Sequence, residues 1–174
     1  QWPTDHPNRG RPPLATMLYG VEIPSAGGGT SVANMRAAYA ALPDDERRRL
    51  DTLRTFNSRD EGHADTRPED REKYGKPIAH PMVRTHPVHG SRALYFHISK
   101  ATHIDGMTPE ASRSYMKNLL ARMIRPEIVY HHVWTKGDVL IIDNRATMHR
   151  AHGDYDRSQS RVLWRLIVEG DRPR

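Results

Sequence analysis

Val139-Leu140-Ile141-Ile142-Asp143-Asn144-Arg145-Ala146-Thr147-Met148-His149-Arg150-Ala151 is the stretch whose reading decides the fold. It opens as an apolar, β-branched run that reads as a strand over Asp138–Ile142. It then turns polar at Asp143-Asn144-Arg145 and delivers a histidine four residues later. Ahead of it stand Trp134-Thr135-Lys136-Gly137-Asp138, with a turn at the glycine. Behind it come Asp154-Tyr155 and a β-rich run, Arg161–Val168, that carries two arginines. Arg161 and Arg165 are four apart, so on a strand they point to one side.

Outward from that stretch the pattern is mostly β. Thr16–Ile23, Met82–Thr85, Ala93–Ile98 and Ile128–Trp134 read as strands or extended segments. Residues 1–13 hold four prolines and read as loop or edge strand. Thr30 or Ser31 could cap a helix running to Leu42, where Val32, Met35, Ala38, Tyr39 and Leu42 share a face and Pro43 ends it. A second helix is expected over Asp44–Leu53. A third is signalled by Thr108-Pro109-Glu110, a cap followed by proline and an acid in the first turn. It is expected to reach Ile124. Residues 57–79 are charged and aperiodic and read as a long surface loop, a lid, or a disordered stretch. Many short strands with a few helices imply an antiparallel jelly roll decorated by helices.

Length and composition bound the function. The chain has 174 residues, enough for one domain spanning 1–174 with one core. Lys and Arg number 27 against 21 Asp and Glu, a net charge of +6. That excess raises a basic nucleic-acid-binding domain as a rival reading. Arg47, Arg48 and Arg49 form the one run of three, and Asp44, Asp45 and Glu46 precede them, which reads as a solvated helix face instead. With no cysteine in the chain, disulfides, thiolate metal sites and a cysteine nucleophile are excluded. A metal site must then draw on the 11 histidines and the carboxylates, a ligand set suited to non-haem iron. No apolar run approaches the ~20 residues of a membrane span, and Gln1–Pro13 is unlike a signal peptide. A cytoplasmic location is the expectation. The chain opens without Met, inside what reads as a motif, so an earlier segment is expected.

The combined motifs resemble the TauD/TfdA dioxygenases, taurine dioxygenase-like enzymes. That family shows W-x-x-G-D, a strand, D-N-R-x-x-x-H-x-A, D-Y, then two arginines. Gly27-Gly28-Gly29-Thr30 looks like its G-G-D-T. His80-Pro81-Met82-Val83-Arg84-Thr85-His86-Pro87 with Gly90 looks like its H-P-V-V-R-x-H-P-x-x-G. Trp2–Asp5 falls where the family has W-H-x-D. The resemblance implies a double-stranded β-helix (jelly roll, cupin-like), iron(II), and 2-oxoglutarate as cosubstrate. It implies dioxygen and a small, anionic organic molecule as reaction partners, with succinate and CO2 released. Asp5 and His149 are the implied metal ligands. Thr30, Arg161 and Arg165 are the implied cosubstrate-pocket residues, Arg165 alternatively holding an acidic primary substrate. Arginine suits a carboxylate because its planar fork pairs with both oxygens. Asp143 or a neighbour is a candidate to orient His149. Self-association is left open.

Two departures stand out. Pro3 occupies the place of the family's first histidine, and its side chain cannot bind a metal. His6 could substitute only if the backbone bends, since neighbours on a strand face opposite ways. Gly29 replaces the family's acid. The rival that follows from Pro3 is a degenerate, metal-poor relative acting as a binding protein. Outside the motifs, His97, His103, His131 and His132 read as surface or satisfied polar residues, and Trp134 and Trp164 as core or near-core. Asn8 and Tyr19 are candidates to face a substrate.

Overall fold

The computed structural model describes residues 2–58 and 76–174. Its elements run β1 (Ala15–Glu22), β2 (Thr30–Asn34), α1 (Met35–Ala40), α2 (Asp44–Thr52), β3 (Arg54–Asn57), β4 (Ile78–Pro81), β5 (Val83–Thr85), β6 (Arg92–Leu94), β7 (Ala101–Ile104), α3 (Pro109–Met123), a 3-10 turn at Pro126–Ile128, β8 (Val129–His132), β9 (Val139–Asp143), β10 (Thr147–Ala151) and β11 (Val162–Val168). Two three-stranded sheets, β11-β1-β9 and β10-β2-β8, build the jelly roll. Every pairing in them is antiparallel. A third sheet, β4-β3-β7, and the pair β5-β6 extend it.

The expected helix from Thr30 is instead strand β2 followed by a short α1. Thr30, Ser31 and Val32 are partnered across β8 and β10, a pairing with residues roughly a hundred positions away that no local period reveals. Asn34 is the real cap, accepting from the Arg36 and Ala37 amides. The expected strand over Ala93–Ile98 shrinks to Arg92–Leu94, and the short strands β3, β7 and β10 escaped the periodicity altogether. Of the expected loop over 57–79, Asn57 ends β3 while Ile78 and Ala79 begin β4; residues 59–75 lie outside the described residues. Helix α3 forms as its cap signal requires, with Thr108 Oγ1 accepting from the Ala111 amide. The Ser112 hydroxyl accepts from the Ile104 amide at 2.8 Å, tying α3 to β7. The buried core joins Met116, Leu119 and Met123 of α3 to Met35 and Ala38 of α1 and to Ala33 and Met148 of the sheet. Truncating such a leucine to alanine typically costs about 2–5 kcal/mol.

Strand parity orders the first sheet. Leu18 pairs with Arg165 and Thr16 with Ile167, so Thr16 and Arg165 share its inner face. The same alternation sends Tyr19, Ile141, Trp164 and Leu166 outward, where all four are exposed. Trp164 is therefore not near-core but 66% exposed, and Tyr19 lies against its ring at 5.8 Å rather than facing a substrate. Among the described residues no helix is long and apolar enough to cross a membrane.

Candidate metal and cosubstrate site

Asp5 is where the two main sheets meet. The Thr16 hydroxyl on β1 donates a short hydrogen bond to Asp5 Oδ2. Asn144, from the turn between β9 and β10, donates to Thr16 Oγ1 at 2.8 Å. Thr4 donates to the Asn144 carbonyl at 3.1 Å. This buried chain holds the Asp5 carboxylate by one oxygen and leaves Oδ1 turned toward β10. There His149 Nε2 lies 3.8 Å away, the two side chains being 12% and 15% exposed. That gap is too long for a hydrogen bond. It falls within the roughly 4 Å that two ligands bound at about 2.1 Å can span on one ion.

The backbone brings this about. The His149 amide donates to the Pro3 carbonyl at 2.9 Å, so the segment carrying Asp5 runs beside β10. His149 pairs with Val32, and Ala151 with Thr30, which sets Thr30 and His149 on one face of their sheet. Burial lowers the His149 pKa, with Arg165 adding to the drop and Asp5 opposing it. The ring is accordingly neutral near pH 7, the form in which imidazole binds metals. Its Nδ1 is buried without a hydrogen-bond partner. Asp143, the candidate to orient it, is engaged elsewhere: it accepts from His86 Nε2 at 3.0 Å and is gripped by Arg145 through Nε and NH2, both at 2.9 Å. Sequence adjacency suggested His149, but the turn points the carboxylate away from β10.

Arg161 and Thr30 both border the glycine loop. Arg161 Nε donates to the Gly28 carbonyl at 2.7 Å, while its NH2 is buried with no partner. Glycine is required there: it holds φ +67°, and a Cβ would sit 3.1 Å from the Arg161 side chain. Thr30 Oγ1 accepts from the Trp134 indole N–H at 3.0 Å. With its oxygen occupied by that donor, the hydroxyl proton remains free to be donated. Trp134, read from sequence as core, is buried and also fixes this hydroxyl. Sequence reasoning missed that role; the W-x-x-G-D spacing was its only signal. Arg165 NH1 approaches Asp5 Oδ1 at 3.8 Å, its side chain half exposed. Gly29 has a local reason as well, since a Cβ there would fall 2.6 Å from the His131 ring.

His80 and His86, read as structural, are buried; His80 Nε2 bonds the Arg9 carbonyl at 2.8 Å. His97, expected to be a surface or satisfied residue, is held well down, to about 4, by burial and by Lys100. His6 adopts φ +46°, so the backbone does bend there. Even so, no cluster of three His, Asp or Glu side chains able to hold a metal occurs among the described residues.

Residues 1–167 match the family described as taurine catabolism dioxygenase TauD, TfdA family. The chain belongs to the TauD/TfdA family. Its TauD/TfdA relatives include an (S)-phenoxypropionate/alpha-ketoglutarate-dioxygenase of Sphingobium herbicidovorans, 34% identical over 86% of this chain and 55% of that protein. An alpha-ketoglutarate-dependent sulfate ester dioxygenase of Pseudomonas putida is 35% identical over 92% of this chain and 56% of its own length. The chain thus spans just over half of these curated relatives. The crystal structure of AAD-2 in complex with Mn(II) and N-oxalylglycine superposes with a TM-score of 0.89 at 34% identity, covering 99% of this chain and 69% of that one. TauD/TfdA dioxygenases use iron(II) and 2-oxoglutarate. The side chains here fit that pair of groups in part. Asp5 and His149 present an oxygen and an imidazole nitrogen to one space, and the orphaned Arg161 NH2 lacks the acceptor that a carboxylate would supply. The third protein ligand that the resemblance implies at position 3 has no counterpart in the proline that stands there.

Proposed function

We propose that the protein is an iron(II)- and 2-oxoglutarate-dependent dioxygenase that hydroxylates a small anionic organic molecule, with release of succinate and CO2. The observation that carries this reading is the 3.8 Å approach of His149 Nε2 to Asp5 Oδ1. Residues 144 positions apart are brought there onto one space with no hydrogen bond between them. Asp5 and His149 would hold the metal. When bound, iron and 2-oxoglutarate supply the dioxygen activation that no amino-acid side chain provides.

The chain's own residues bind and orient. Thr16 and Asn144 fix the Asp5 carboxylate. Arg161, its charge permanent and one N–H unpaired in a buried place, takes the far carboxylate of the cosubstrate. Thr30 donates its hydroxyl proton to that same carboxylate because Trp134 occupies its acceptor side. Arg165 adds a cation beside Asp5 that suits an anionic substrate or the cosubstrate itself. His6 sits in the same field: its pKa is lowered by burial first and then by Arg9, with Arg165 and Lys100 adding and Asp5 opposing. The relatives named for phenoxypropionate and sulfate esters act on anions, in keeping with such surroundings.

Anaerobic addition of iron(II) and 2-oxoglutarate tests the reading. A weak visible charge-transfer band is expected, together with succinate formed in air when a suitable anion is supplied. Pro3 favours a second reading, a binding protein that keeps the fold without competent iron. A spectrum that stays silent at millimolar iron and cosubstrate would select that second reading.

A further inference from the structure

We propose that Ser31 and the two imidazoles it joins, His131 and His152, are positioning residues that hold the glycine loop over residues 27–29 and so set how tightly the pocket of Arg161 and Thr30 takes 2-oxoglutarate. The inference rests on the reading of Arg161 and Thr30 as cosubstrate residues. Gly27 and Gly28 both have positive φ, +74° and +67°, and glycine has the most backbone freedom to lose. The loop's shape must therefore be imposed by its neighbours. On one flank the His152 amide donates to the Gly29 carbonyl at 2.9 Å, and the Gly28 amide donates to Asp154 Oδ1 at 2.9 Å. On the other flank the His131 ring lies against Gly29, where a Cβ would fall 2.6 Å from it. Arg161 leans on the same loop through the bond from its Nε to the Gly28 carbonyl.

Ser31 ties the two flanks together. Its hydroxyl lies 3.0 Å from His131 Nδ1 and 2.8 Å from His152 Nε2, and the two rings meet edge to face at 4.9 Å. A hydroxyl has one proton to give, so Ser31 donates to one ring and accepts from the other. Both rings satisfy this in the same tautomer, Nε2–H: His152 then donates and His131 accepts. Ser31 is buried and stands directly opposite His131 in the pairing of β2 with β8. Side chains alternate along β2, so Ser31 and Thr30 face opposite ways. An effect of Ser31 on cosubstrate binding must then pass through the rings and the loop.

The test compares the native chain, Ser31→Ala, His131→Ala and Arg161→Lys, each checked for folding by circular dichroism. Binding of 2-oxoglutarate is measured by calorimetry with Mn(II) in the buffer, and the imidazole nitrogens are followed by proton–nitrogen nuclear magnetic resonance. Ser31→Ala is expected to weaken binding by about two- to tenfold, the worth of one or two hydrogen bonds, and His131→Ala to move the same way. In the native chain, 2-oxoglutarate is expected to shift the ring signals of His131 and His152. Coupling between loop and pocket is reciprocal, and a merely structural Ser31 would give no such response. If Ser31→Ala proves unfolded, His131→Ala, at an exposed position, decides together with the ring signals. A folded Ser31→Ala, or in its place His131→Ala, that binds as the native chain does overturns the proposal, as do ring signals indifferent to 2-oxoglutarate. Arg161→Lys separates this from the underlying reading. Where it weakens binding and Ser31→Ala does not, the pocket stands and this proposal alone falls. Where it binds as the native chain does, or the native chain takes up no 2-oxoglutarate, the pocket reading fails first and takes this proposal with it.

Discussion

Replacing Asp143 by asparagine should abolish a defined part of the protein's acid sensitivity. Asp143 closes the strand that leads into the metal-site turn. Burial alone would raise its pKa, but hydrogen bonds from Arg145 and His86 outweigh burial and bring it from the ordinary 3.8 down to about 2. The folded pKa lies below the unfolded one, so its contribution is fully present above pH ~4 and lost as pH falls toward 2. A fully buried carboxylate shifted that far would contribute about 2.4 kcal/mol. The Asp143 side chain is 37% exposed, and solvent screening reduces the figure to about 1 kcal/mol. With a urea dependence near 2 kcal/mol per molar, that corresponds to about 0.5 M in midpoint. Urea unfolding of the native chain and Asp143→Asn is compared at pH 6 and pH 2.5. At pH 6 the variant should be less stable, since Arg145 and the buried His86 lose their shared acceptor. At pH 2.5, where a carboxyl of pKa about 2 is still mostly ionised, the gap should narrow by about 0.3 M. A gap that is the same at both pH values would refute the reasoning.

Three further outcomes follow from the same geometry. In a double-mutant cycle on urea stability, Trp134→Phe and Thr30→Val should couple by about 1 kcal/mol, the worth of a buried hydrogen bond; strict additivity would remove the indole from its role at Thr30. Gly29→Ala should cost about 1–3 kcal/mol, because its Cβ meets the His132 carbonyl at 2.9 Å as well as the His131 ring; adding His131→Ala should recover only part, and an unaltered unfolding midpoint for Gly29→Ala would contradict the packing. Arg161→Lys should weaken 2-oxoglutarate binding by about tenfold or more, since an ammonium cannot hold the Gly28 carbonyl and a carboxylate with one planar fork; calorimetry showing native affinity would exclude Arg161 from the pocket.

The motifs singled out Asp5, His149, Thr30, Arg161 and Arg165, and the structure brings Asp5 within 3.8 Å of both His149 and Arg165; their metal and cosubstrate roles are the proposal made above. The jelly-roll class was legible from the short β-rich runs. What stayed hidden depends on pairing at long range. Thr30–Asn34 carries apolar spacing that also suits a helix, and only β8 and β10 make it a strand. Trp164 looked like core because it is large, yet the parity that turns Arg165 inward turns its neighbour out. The support beneath Asp5, through Thr16 and Asn144, joins residues over a hundred positions apart. Asp143 was assigned to the wrong histidine because sequence proximity gives no direction for a turn side chain.

Crystals soaked with Mn(II) and 2-oxoglutarate, read by anomalous scattering at the manganese edge, address the central claim most directly. One peak is expected between Asp5 Oδ1 and His149 Nε2, with the far carboxylate of 2-oxoglutarate against Arg161 NH2 and the Thr30 hydroxyl. A metal bound elsewhere, or a cosubstrate that leaves Arg161 untouched, would contradict it.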